Sequence, residues 1–479
     1  MKAIHCLCFC LNLLIFTEKL NAQCECPPLP DPTGIIDTVS SVGELQSALQ
    51  AANQNGGHYT ILLEDGTYEL ANNLLYINQS MDHLTIRSLS GDREAVIIKG
   101  QGMGGNVGYI FNMAADHFTV ADMTIGWVGN HAIQVHAEHD ADFPLIQNVK
   151  FVNVREQMLK VSGSASSDFS DGGVVQCCEF VFPDGVAYQY YTGGIDAHRA
   201  KDWEVRFNTF RHIRSPDNSL AEHAIHFWSN SENTLVENNV IIDCDRGIGF
   251  GLGNSGHVGG TVRNNFVHTS RDVGIGLENA SDVNIYHNTV VTDNYFNSIE
   301  YRFAGTVNAH IANNLTNEAV ASRNGGTGTV EFNYLFLNDA IFVNANNYDY
   351  HLIAENPSIT NAGTMLAHTG VDIDCHDRMD GLPDIGADEF NSVLNSINFN
   401  PIKNIIHVFP NPNAGRFFIE STENVAIEIV DLNGKTIYKK RKLNGSLIEL
   451  EEIKSGIYFL KYMKGDLLGV EKIFVSYEL

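Results

Sequence analysis

The sequence has little charge, and only 18% of its 479 residues are Asp, Glu, Lys or Arg. Ordinary globular proteins have roughly 25%. Because 44% of the residues are hydrophobic, the chain can bury a core, and a disordered polyelectrolyte is excluded. Asparagine and glycine are abundant, at 48 and 42 residues, which favours turns over long helices.

Positive charge is especially scarce. The 30 Lys and Arg residues stand against 57 Asp and Glu residues, so the formal net charge is −27. A surface this acidic repels phosphate backbones and anionic lipid headgroups. We therefore expect no nucleic-acid partner and no binding to a membrane surface.

Long hydrophobic runs are also lacking. Residues 4–16 form a short apolar stretch, and the small-residue exit at 20–22 completes the layout of a secretory signal peptide over residues 1–22. This stretch is too short to span a bilayer. A lipoprotein anchor at Cys24 is a less favoured alternative, because Gln23 is not the small residue that such processing expects.

Cysteine is too sparse for a disulfide scaffold, since six residues remain after the signal peptide. An exported protein could pair them, and the sequence leaves the pairing open. We interpret the vicinal pair Cys177-Cys178 as buried small side chains. The six are Cys24, Cys26, Cys177, Cys178, Cys244 and Cys375.

One short helix is predicted near the start. Ser41 and Glu44 fit a capping box, Leu45 and Leu49 lie on one apolar face, and Gly56-Gly57 ends the helix. Helical periodicity is then absent for about 300 residues.

A repeat of 20–30 residues replaces it, which is the period of a solenoid. Each repeat has a strand with asparagine in one slot, and such amides can stack into a hydrogen-bonded ladder. We assign to this slot Asn208, Asn238, Asn264, Asn288, Asn313 and Asn333.

A second strand follows in each repeat, and its alternation aligns one inward aliphatic residue per coil. Matching inward positions predict an all-β fold, a right-handed parallel β-helix over residues 35–390. The repeats are too short for a propeller blade. We expect residues 372–390 to cap the end of the solenoid, where structural capping is favoured over calcium binding by the carboxylates. The inward residues begin at Ile133, Leu159, Ile195, Ile225, Ile248, Ile275, Ile299, Val320 and Ile341.

The composition changes after a linker at residues 391–404. Alternating strands and turns at Asn433-Gly434 and Ser455-Gly456 predict a small β-sandwich over residues 405–479. Together with Phe409-Pro410-Asn411-Pro412, these motifs resemble the C-terminal sorting domain of type IX secretion substrates of Bacteroidetes. The resemblance implies that the secretion machinery is a partner, that the protein is secreted or displayed at the cell surface, and that this domain is later removed.

Residues 35–390 resemble the pectate-lyase-like superfamily, which often opens with a helix and the turn present here at Leu63, Gly66 and Tyr68. Alginate and chondroitin lyases of this fold are the nearest comparison. The superfamily also contains hydrolases, epimerases and adhesins, so the resemblance implies a fold more than a reaction. No catalytic motif matches residue by residue.

Titratable residues concentrate on the outward face of the second strands. Lys160, Asp196 and His226 fall in one outward column on successive coils, with His198 beside them in the next column. We expect Asp196 to raise the pKa of its histidine neighbours. Arg199 completes the predicted catalytic set.

A groove for a chain-like ligand is predicted around this set. Gly249, Gly251, Gly274 and Gly276 leave a floor without side chains, and Trp228 offers a platform for sugar stacking. Glu222-His223 and Asp245-Arg246 lie nearby. The predicted substrate-binding residues are His136, Tyr191, Lys201, Trp228, Glu278, Glu300 and Arg302.

Four functions are compatible with these residues. A lyase acting on a uronic-acid glycan by β-elimination is favoured, because cations and bases are present and a nearby tyrosine can act as the acid. A glycoside hydrolase ranks second, since it needs two close carboxylates, which Glu222 or Asp245 would have to supply. The others are a metal site at Asp196, His198 and His226 and a non-catalytic carbohydrate-binding adhesin. A polysaccharide partner and a monomer are expected, and calcium is the one cofactor left open.

Overall fold

The computed structural model forms two compact units, Met1–Phe390 and Asn391–Leu479. The predicted signal peptide, Cys24 and the predicted linker at 391–404 lie outside the described residues. The structure describes residues 26–164, 166, 168–367, 369–378, 382–390, 406–411, 413–421, 425–430, 435–443, 446–450, 453–464 and 467–476.

The predicted helix is confirmed at Val42–Asn55. The Ser41 hydroxyl accepts a hydrogen bond from the Glu44 amide, and Gly56 ends the helix in the left-handed conformation, with a φ of 78°. Leu45 and Leu49 are fully buried. The apolar face of the helix therefore packs into the hydrophobic core of the first unit.

Three parallel sheets wind around the core of the first unit, which confirms the right-handed parallel β-helix. Each strand pairs with the same strand of the next coil, so the inward side chains stack. Phe151, Phe180 and Phe210 form one such stack, with ring centroids 4.4 and 4.5 Å apart.

The strands belong to sheets of different size. The long sheet contains Ile35–Val39, Gly57–Leu63, Gly66–Glu69, Asp82–Ser88, Val96–Lys99, Thr119–Val128, Leu145–Val154, Val174–Gln176, Glu179–Val181, Glu204–Arg206, Thr209–Arg211, Leu235–Glu237, Val240–Cys244, Thr261–Arg263, Phe266–Thr269, Asn284–Tyr286, Thr289–Thr292, Ala309–Ala312, Leu315–Thr316 and Gly328–Glu331. The site sheet contains Phe111–Met113, Ile133–His136, Gln157–Ser162, Gly193–His198, His223–Trp228, Arg246–Phe250, Ile275–Glu278, Asn297–Arg302 and Ala319–Arg323. The short sheet contains Ser170–Asp171, Ala200–Lys201, Ser231–Glu232, His257–Val258 and Ala280–Ser281.

The predicted register of the site sheet is confirmed from Ile133 to Val320, where each inward aliphatic pairs with the next. The ninth assignment, Ile341, is wrong, because this residue lies in a 3-10 turn at Asp339–Ile341. An earlier coil was missed, and its Phe111 pairs with Ile133.

The asparagine ladder exists, but half of its predicted members are wrong. Wherever two asparagines are adjacent, the second one enters the ladder. Each amide donates to the side-chain oxygen of the next coil at 2.9–3.0 Å. The ladder consists of Asn208, Asn239, Asn265, Asn288, Asn314 and Asn333.

Asn238, Asn264 and Asn313 instead adopt the left-handed conformation, with φ of 54°, 52° and 58°. Asparagine tolerates this conformation better than most residues. Their side chains leave the core and donate to the backbone oxygens of Asp372, Val371 and Thr364. The first asparagine of each pair thus fastens a later segment to the outside of the solenoid.

That segment does not cap the end of the solenoid, so the capping prediction for residues 372–390 is wrong. Ile373 and Ile385 pack in one cluster with Phe266 and Leu315 on the outer face of the long sheet. Arg378 is 1% exposed and pairs with Glu389 at 2.9 Å. The preceding hairpin joins Phe342–Asn344 and Asp349–Leu352, with 3-10 turns at Asp339–Ile341 and Ala345–Asn347.

Three of the described cysteines form disulfides, a pairing that the sequence left open. Cys26 forms a disulfide with Cys177, with Cα atoms 6.1 Å apart, and Cys375 is also disulfide-bonded. The interpretation of the vicinal pair holds for Cys178, which is buried and free, and is wrong for Cys177. Cys177 has a φ of 61°, so it occupies the outward corner that asparagine takes in later coils.

The second unit consists of small antiparallel sheets, as the turn pattern predicted. One sheet contains Ile406–Phe409, Arg416–Ser421 and Ser446–Glu449. The other contains Val425–Val430, Thr436–Leu443, Gly456–Lys464 and Leu467–Val475. In the described part of the chain, no helix has the length and apolar character needed to span a membrane.

Candidate functional site

The predicted cluster forms on the outer face of the site sheet. Lys160 and Asp196 lie side by side on adjacent coils, and the Lys160 ammonium lies 2.5 Å from a carboxylate oxygen of Asp196. Both residues are buried. A buried charge needs a partner, and here each of the two groups supplies it to the other.

His198 is the third member of this cluster. The Lys160 ammonium donates to its Nε2 atom at 2.9 Å, so this nitrogen accepts, and the Nδ1–H group donates to the Gly163 carbonyl at 3.1 Å. Burial and the Lys160 charge hold the pKa of His198 below its usual value, although Asp196 acts in the opposite direction. Asp196 raises this pKa, as expected, but burial and Lys160 outweigh its effect, so the net shift is downward and favours a neutral imidazole at His198.

Asp196 stays ionised. Burial alone would raise its pKa, but Lys160, His226 and His198 together hold the pKa below the usual range. The Trp228 indole N–H donates to its second oxygen at 2.6 Å. Trp228 also packs against His198 edge to face, with ring centroids 4.3 Å apart. With both oxygens bonded, Asp196 orients its neighbours and cannot donate a proton.

His226 points outward, as its register predicted, but it is 1% exposed and does not lie on an open surface. Its Nε2–H donates to the Gly251 carbonyl at 3.1 Å. The rings of His223 and Trp228 lie 4.5 and 5.7 Å from its ring. The covering residues come from both ends of its own strand, which a column alignment does not reveal.

Tyr191 is exposed, with 43% of its surface accessible, and lies close enough to Asp196 for the carboxylate charge to act on its phenol. Partial burial, and after it the negative charge of Asp196, raises the pKa of its phenol above the usual value. Tyr191 therefore remains protonated at neutral pH and is available as a proton donor.

Arg199 and Lys201 do not join this cluster. Arg199 has a φ of 54°, and its guanidinium carbon lies 3.6 Å from the centroid of the Phe169 ring. Lys201 belongs to the short sheet beyond that corner. The left-handed residue turns the chain into another sheet, and the Lys201 ammonium also lies near the Phe169 ring, 5.8 Å from its centroid.

His136 lies two coils from His198, in the coil next to Ser162. It is bonded to Glu138 at 2.7 Å and to Asn112 at 2.5 Å. It therefore lies at one end of the outward face rather than within the Lys160 cluster.

Glu278, Glu300 and Arg302 form a second polar group farther along the solenoid. Arg302 donates to Glu278 at 3.1 Å. Glu300 is 1% exposed and accepts from Arg323 at 2.8 Å and from the Tyr295 hydroxyl at 2.7 Å. The coil that contains Arg246–Phe250 lies between the two groups, so the predicted site divides in two.

The glycine floor is narrower than predicted. A side chain at Gly249 would strike the His223 ring at 2.7 Å, and one at Gly274 would strike Val290 at 2.2 Å. Gly251 has a φ of 78°, and a side chain added there would strike the Glu278 carbonyl oxygen at 1.9 Å. Of the four glycines, Gly251 and Gly276 line an open cavity of about 130 Å³, together with His223, Arg246, Leu252, Asp272, Val273, Glu278, Glu300 and Arg302.

Sequence analysis missed Gly163 and Asp272. Gly163 acts through its carbonyl, and a backbone atom has no signal in a side-chain pattern. Asp272 pairs with Arg246 at 3.1 Å, but it lies in a turn before its strand, outside the aligned columns.

The residues Asp196, His198 and His226 do not fit a metal ion. The Lys160 ammonium lies between Asp196 and His198, at the position where a cation bound by both would be. The Nδ1 atom of His226 lies 3.8 Å from the other carboxylate oxygen of Asp196, not from the oxygen that Lys160 holds. The lysine therefore replaces the metal in this cluster.

Comparison with known proteins identifies two regions. Residues 108–316 match the family model of the right handed beta helix region, and residues 407–476 match that of the secretion system C-terminal sorting domain. By sequence, no curated protein matches this chain.

Solved structures with a similar fold include three carbohydrate-active proteins. One is an alginate lyase from a Paenibacillus species, with 15% identity, a TM-score of 0.37 and coverage of 61% of this chain and 99% of that one. Another is the A-module of a mannuronan C-5 epimerase from Azotobacter vinelandii, with 13% identity, a TM-score of 0.38 and coverage of 61% and 87%. The third is a PL6 family polysaccharide lyase from Pseudopedobacter saltans, with 14% identity, a TM-score of 0.37 and coverage of 61% and 77%. On the two family matches and the observed coils, the chain is a right-handed β-helix protein with a type IX secretion C-terminal sorting domain, exported to the cell surface or the medium.

Proposed function

We propose that this protein is a polysaccharide lyase that cleaves a uronic-acid-containing glycan by β-elimination. The observation that carries the proposal is the arrangement of Lys160, His198 and Tyr191 around one ionised carboxylate. An ammonium, a neutral imidazole and a protonated phenol are the three groups that such an elimination requires.

In the proposed reaction, the Lys160 ammonium neutralises the carboxylate of the bound uronate and thereby acidifies the C5 proton. When Lys160 turns to the substrate, the Nε2 lone pair of His198 is released and removes that proton. The electron pair forms the C4–C5 double bond and the C4–O bond breaks. Tyr191 then protonates the departing oxygen. Asp196 keeps its charge throughout and positions Lys160.

Hydrolysis is less well supported because it needs two carboxylates about 5–9.5 Å apart. Glu278 lies three coils from Asp196, roughly 14 Å at the usual strand spacing. Asp245 is fully buried and accepts from the amides of Ser215 and Ala221, so it is structural. The Glu222 carboxylate lies 3.7 Å from the Arg246 guanidinium, and this positive charge disfavours the protonated carboxyl that a general acid needs.

The reaction class can be tested by incubating the purified protein with a panel of uronic-acid and neutral polysaccharides. Elimination produces ultraviolet-absorbing unsaturated ends together with new reducing ends. Reducing ends without that absorption would establish hydrolysis instead, and binding without either product would establish an adhesin.

Lys160→Met should lower turnover by about 10²–10⁴-fold, the usual contribution of such a group. The matched control is Lys150→Met, which removes a lysine paired with Glu94 at 3.0 Å on the long sheet and should leave turnover unchanged. Because Asp196 loses its partner in Lys160→Met, the melting temperature is measured in parallel.

His198→Gln provides a second variant at a less buried position, with His310→Gln as its control. Full activity in both folded variants would place the reaction elsewhere.

A further inference from the structure

We propose that Glu222, His223 and His226 form a binding site for a divalent transition-metal ion of the zinc class. One nitrogen of each histidine and one carboxylate oxygen of Glu222 lie within 4.8 Å of one another. Two imidazoles and a carboxylate suit Zn²⁺, whereas calcium and magnesium prefer oxygen ligands. This site is separate from the proposed elimination chemistry and does not depend on it.

Local backbone geometry brings these side chains together. In a regular strand, residues three apart face opposite sides. Ala224 and Ile225 both belong to the hydrophobic core, so the chain bends between the two histidines. Their rings then lie on the same outer face, with centroids 4.5 Å apart.

His223 supplies the clearest sign of a missing ligand. It is 8% exposed, and its Nδ1 atom is buried without a hydrogen-bond partner among the described residues. Leaving a buried polar atom unpaired is costly.

His226 has the hydrogen bonding that is typical of metal-ligating histidines. In such residues one ring N–H donates to a carbonyl oxygen, and the other ring nitrogen binds the metal. Its Nε2–H donates to the Gly251 carbonyl at 3.1 Å. The Nδ1 atom is left with a lone pair and lies 3.8 Å from Asp196. That carboxylate adds negative charge beside the site.

Glu222 is the half-buried residue through which an ion would enter. The Arg246 guanidinium lies 3.7 Å from its carboxylate and competes with a cation. Arg246 also pairs with Asp272 at 3.1 Å, so it keeps a partner when Glu222 turns to a metal.

Three other clusters in the described chain are weaker candidates, and one of them, formed by Asp372, Asp374 and His376, offers a single imidazole. His58, Asp82 and His83 lie at an exposed corner. In the cluster of His351, Asp374 and Asp388, both ring nitrogens of His351 are engaged, by Asp349 at 2.5 Å and Asp374 at 2.8 Å. These clusters serve as controls.

The test uses the purified chain, stripped of metal with a chelator, titrated with Zn²⁺ and measured for bound zinc after desalting. We expect one tightly held equivalent. Glu222→Gln and His223→Gln should each weaken that binding by about 100-fold or more, because even groups behind the ligands contribute 10–100-fold. His83→Gln should leave it intact. Cobalt in place of zinc should give visible absorption bands that His223→Gln removes.

If His223→Gln does not fold, Glu222→Gln still decides, since Glu222 is not a core residue. Absence of retained zinc, or the same affinity in the wild type and Glu222→Gln, would overturn the proposal. The readout is metal content rather than product, so a chain that binds zinc and cleaves no glycan would overturn the proposed lyase function alone.

Discussion

At the scale of single residues, the main feature is a lysine ammonium between a carboxylate and an imidazole. Lys160 bonds to Asp196 and His198 at once. It keeps Asp196 ionised and His198 neutral, because the same positive charge stabilises an anion and destabilises a cation. One buried lysine thus sets the protonation states of both neighbours.

This arrangement predicts the acid limb of the activity profile. His198 must be neutral to act as a base, and its pKa lies below the usual value of 6.5. The value of kcat/KM should therefore rise as the pH rises through that lowered pKa, and stay flat through neutral pH. Lys160, Asp196 and His226 are the charged or titratable groups that act on His198.

The profile is measured as kcat/KM against pH on a cleaved glycan, with the His198 pKa followed by NMR. Asp196→Asn removes the negative charge that favours the imidazolium, so the His198 pKa should fall further. An acid limb at or above 6.5 would show that His198 is not the neutral base.

At the scale of elements, sequence predicted the coils well and their corners poorly. Ile195 and Ile225 could be placed inward because strand alternation has a strict period of two. At the corners that period ends. Adjacent asparagines such as Asn264 and Asn265 are chemically identical, and only the left-handed φ of the first one decides which enters the ladder.

The same limit explains the partial prediction of the site. Lys160, Asp196, His198 and Trp228 came together because their positions follow from strand register. Arg199 did not, since a left-handed corner turns it toward Phe169. Burial of His226 also depends on side chains at the strand ends, where alternation gives no information.

The ladder should stabilise the solenoid strongly. Asn265 is fully buried, donates to Asn288 at 2.9 Å and accepts from the Asn239 amide at 2.9 Å. Asn265→Ala leaves several buried groups unpaired and should lower the free energy of unfolding by about 3 kcal/mol. Chemical denaturation followed by circular dichroism measures this change.

Asn308→Gly is the matched control for the ladder. Asn308 is exposed, has a φ of 57° and bonds only across the surface to Asp282 among the described contacts. Because glycine accepts this φ freely, the change should be within about 0.5 kcal/mol. Similar losses in both variants would mean that the stacked amides add nothing specific.

At the scale of the whole molecule, the C-terminal domain is a sorting signal. The sorting domain at residues 407–476 directs export, and we predict that the mature protein lacks both residues 1–22 and the region beyond about residue 400. Intact-mass analysis of the medium and the cell surface tests this. Recovery of the full-length chain from the cytoplasm would contradict it.

The disulfide between Cys26 and Cys177 joins residues 151 positions apart. Coils of a solenoid contact mainly their neighbours. Without the disulfide, the coils at the end of the solenoid would therefore dissociate first after the chain is cut. A single peptidase cut between the two cysteines leaves both fragments covalently attached. Lys160 lies within this covalent ring and Asp196 beyond it. An oxidised molecule that is cut once between Cys26 and Cys177 therefore keeps Lys160 and Asp196 in one covalently joined molecule, until the disulfide is also reduced.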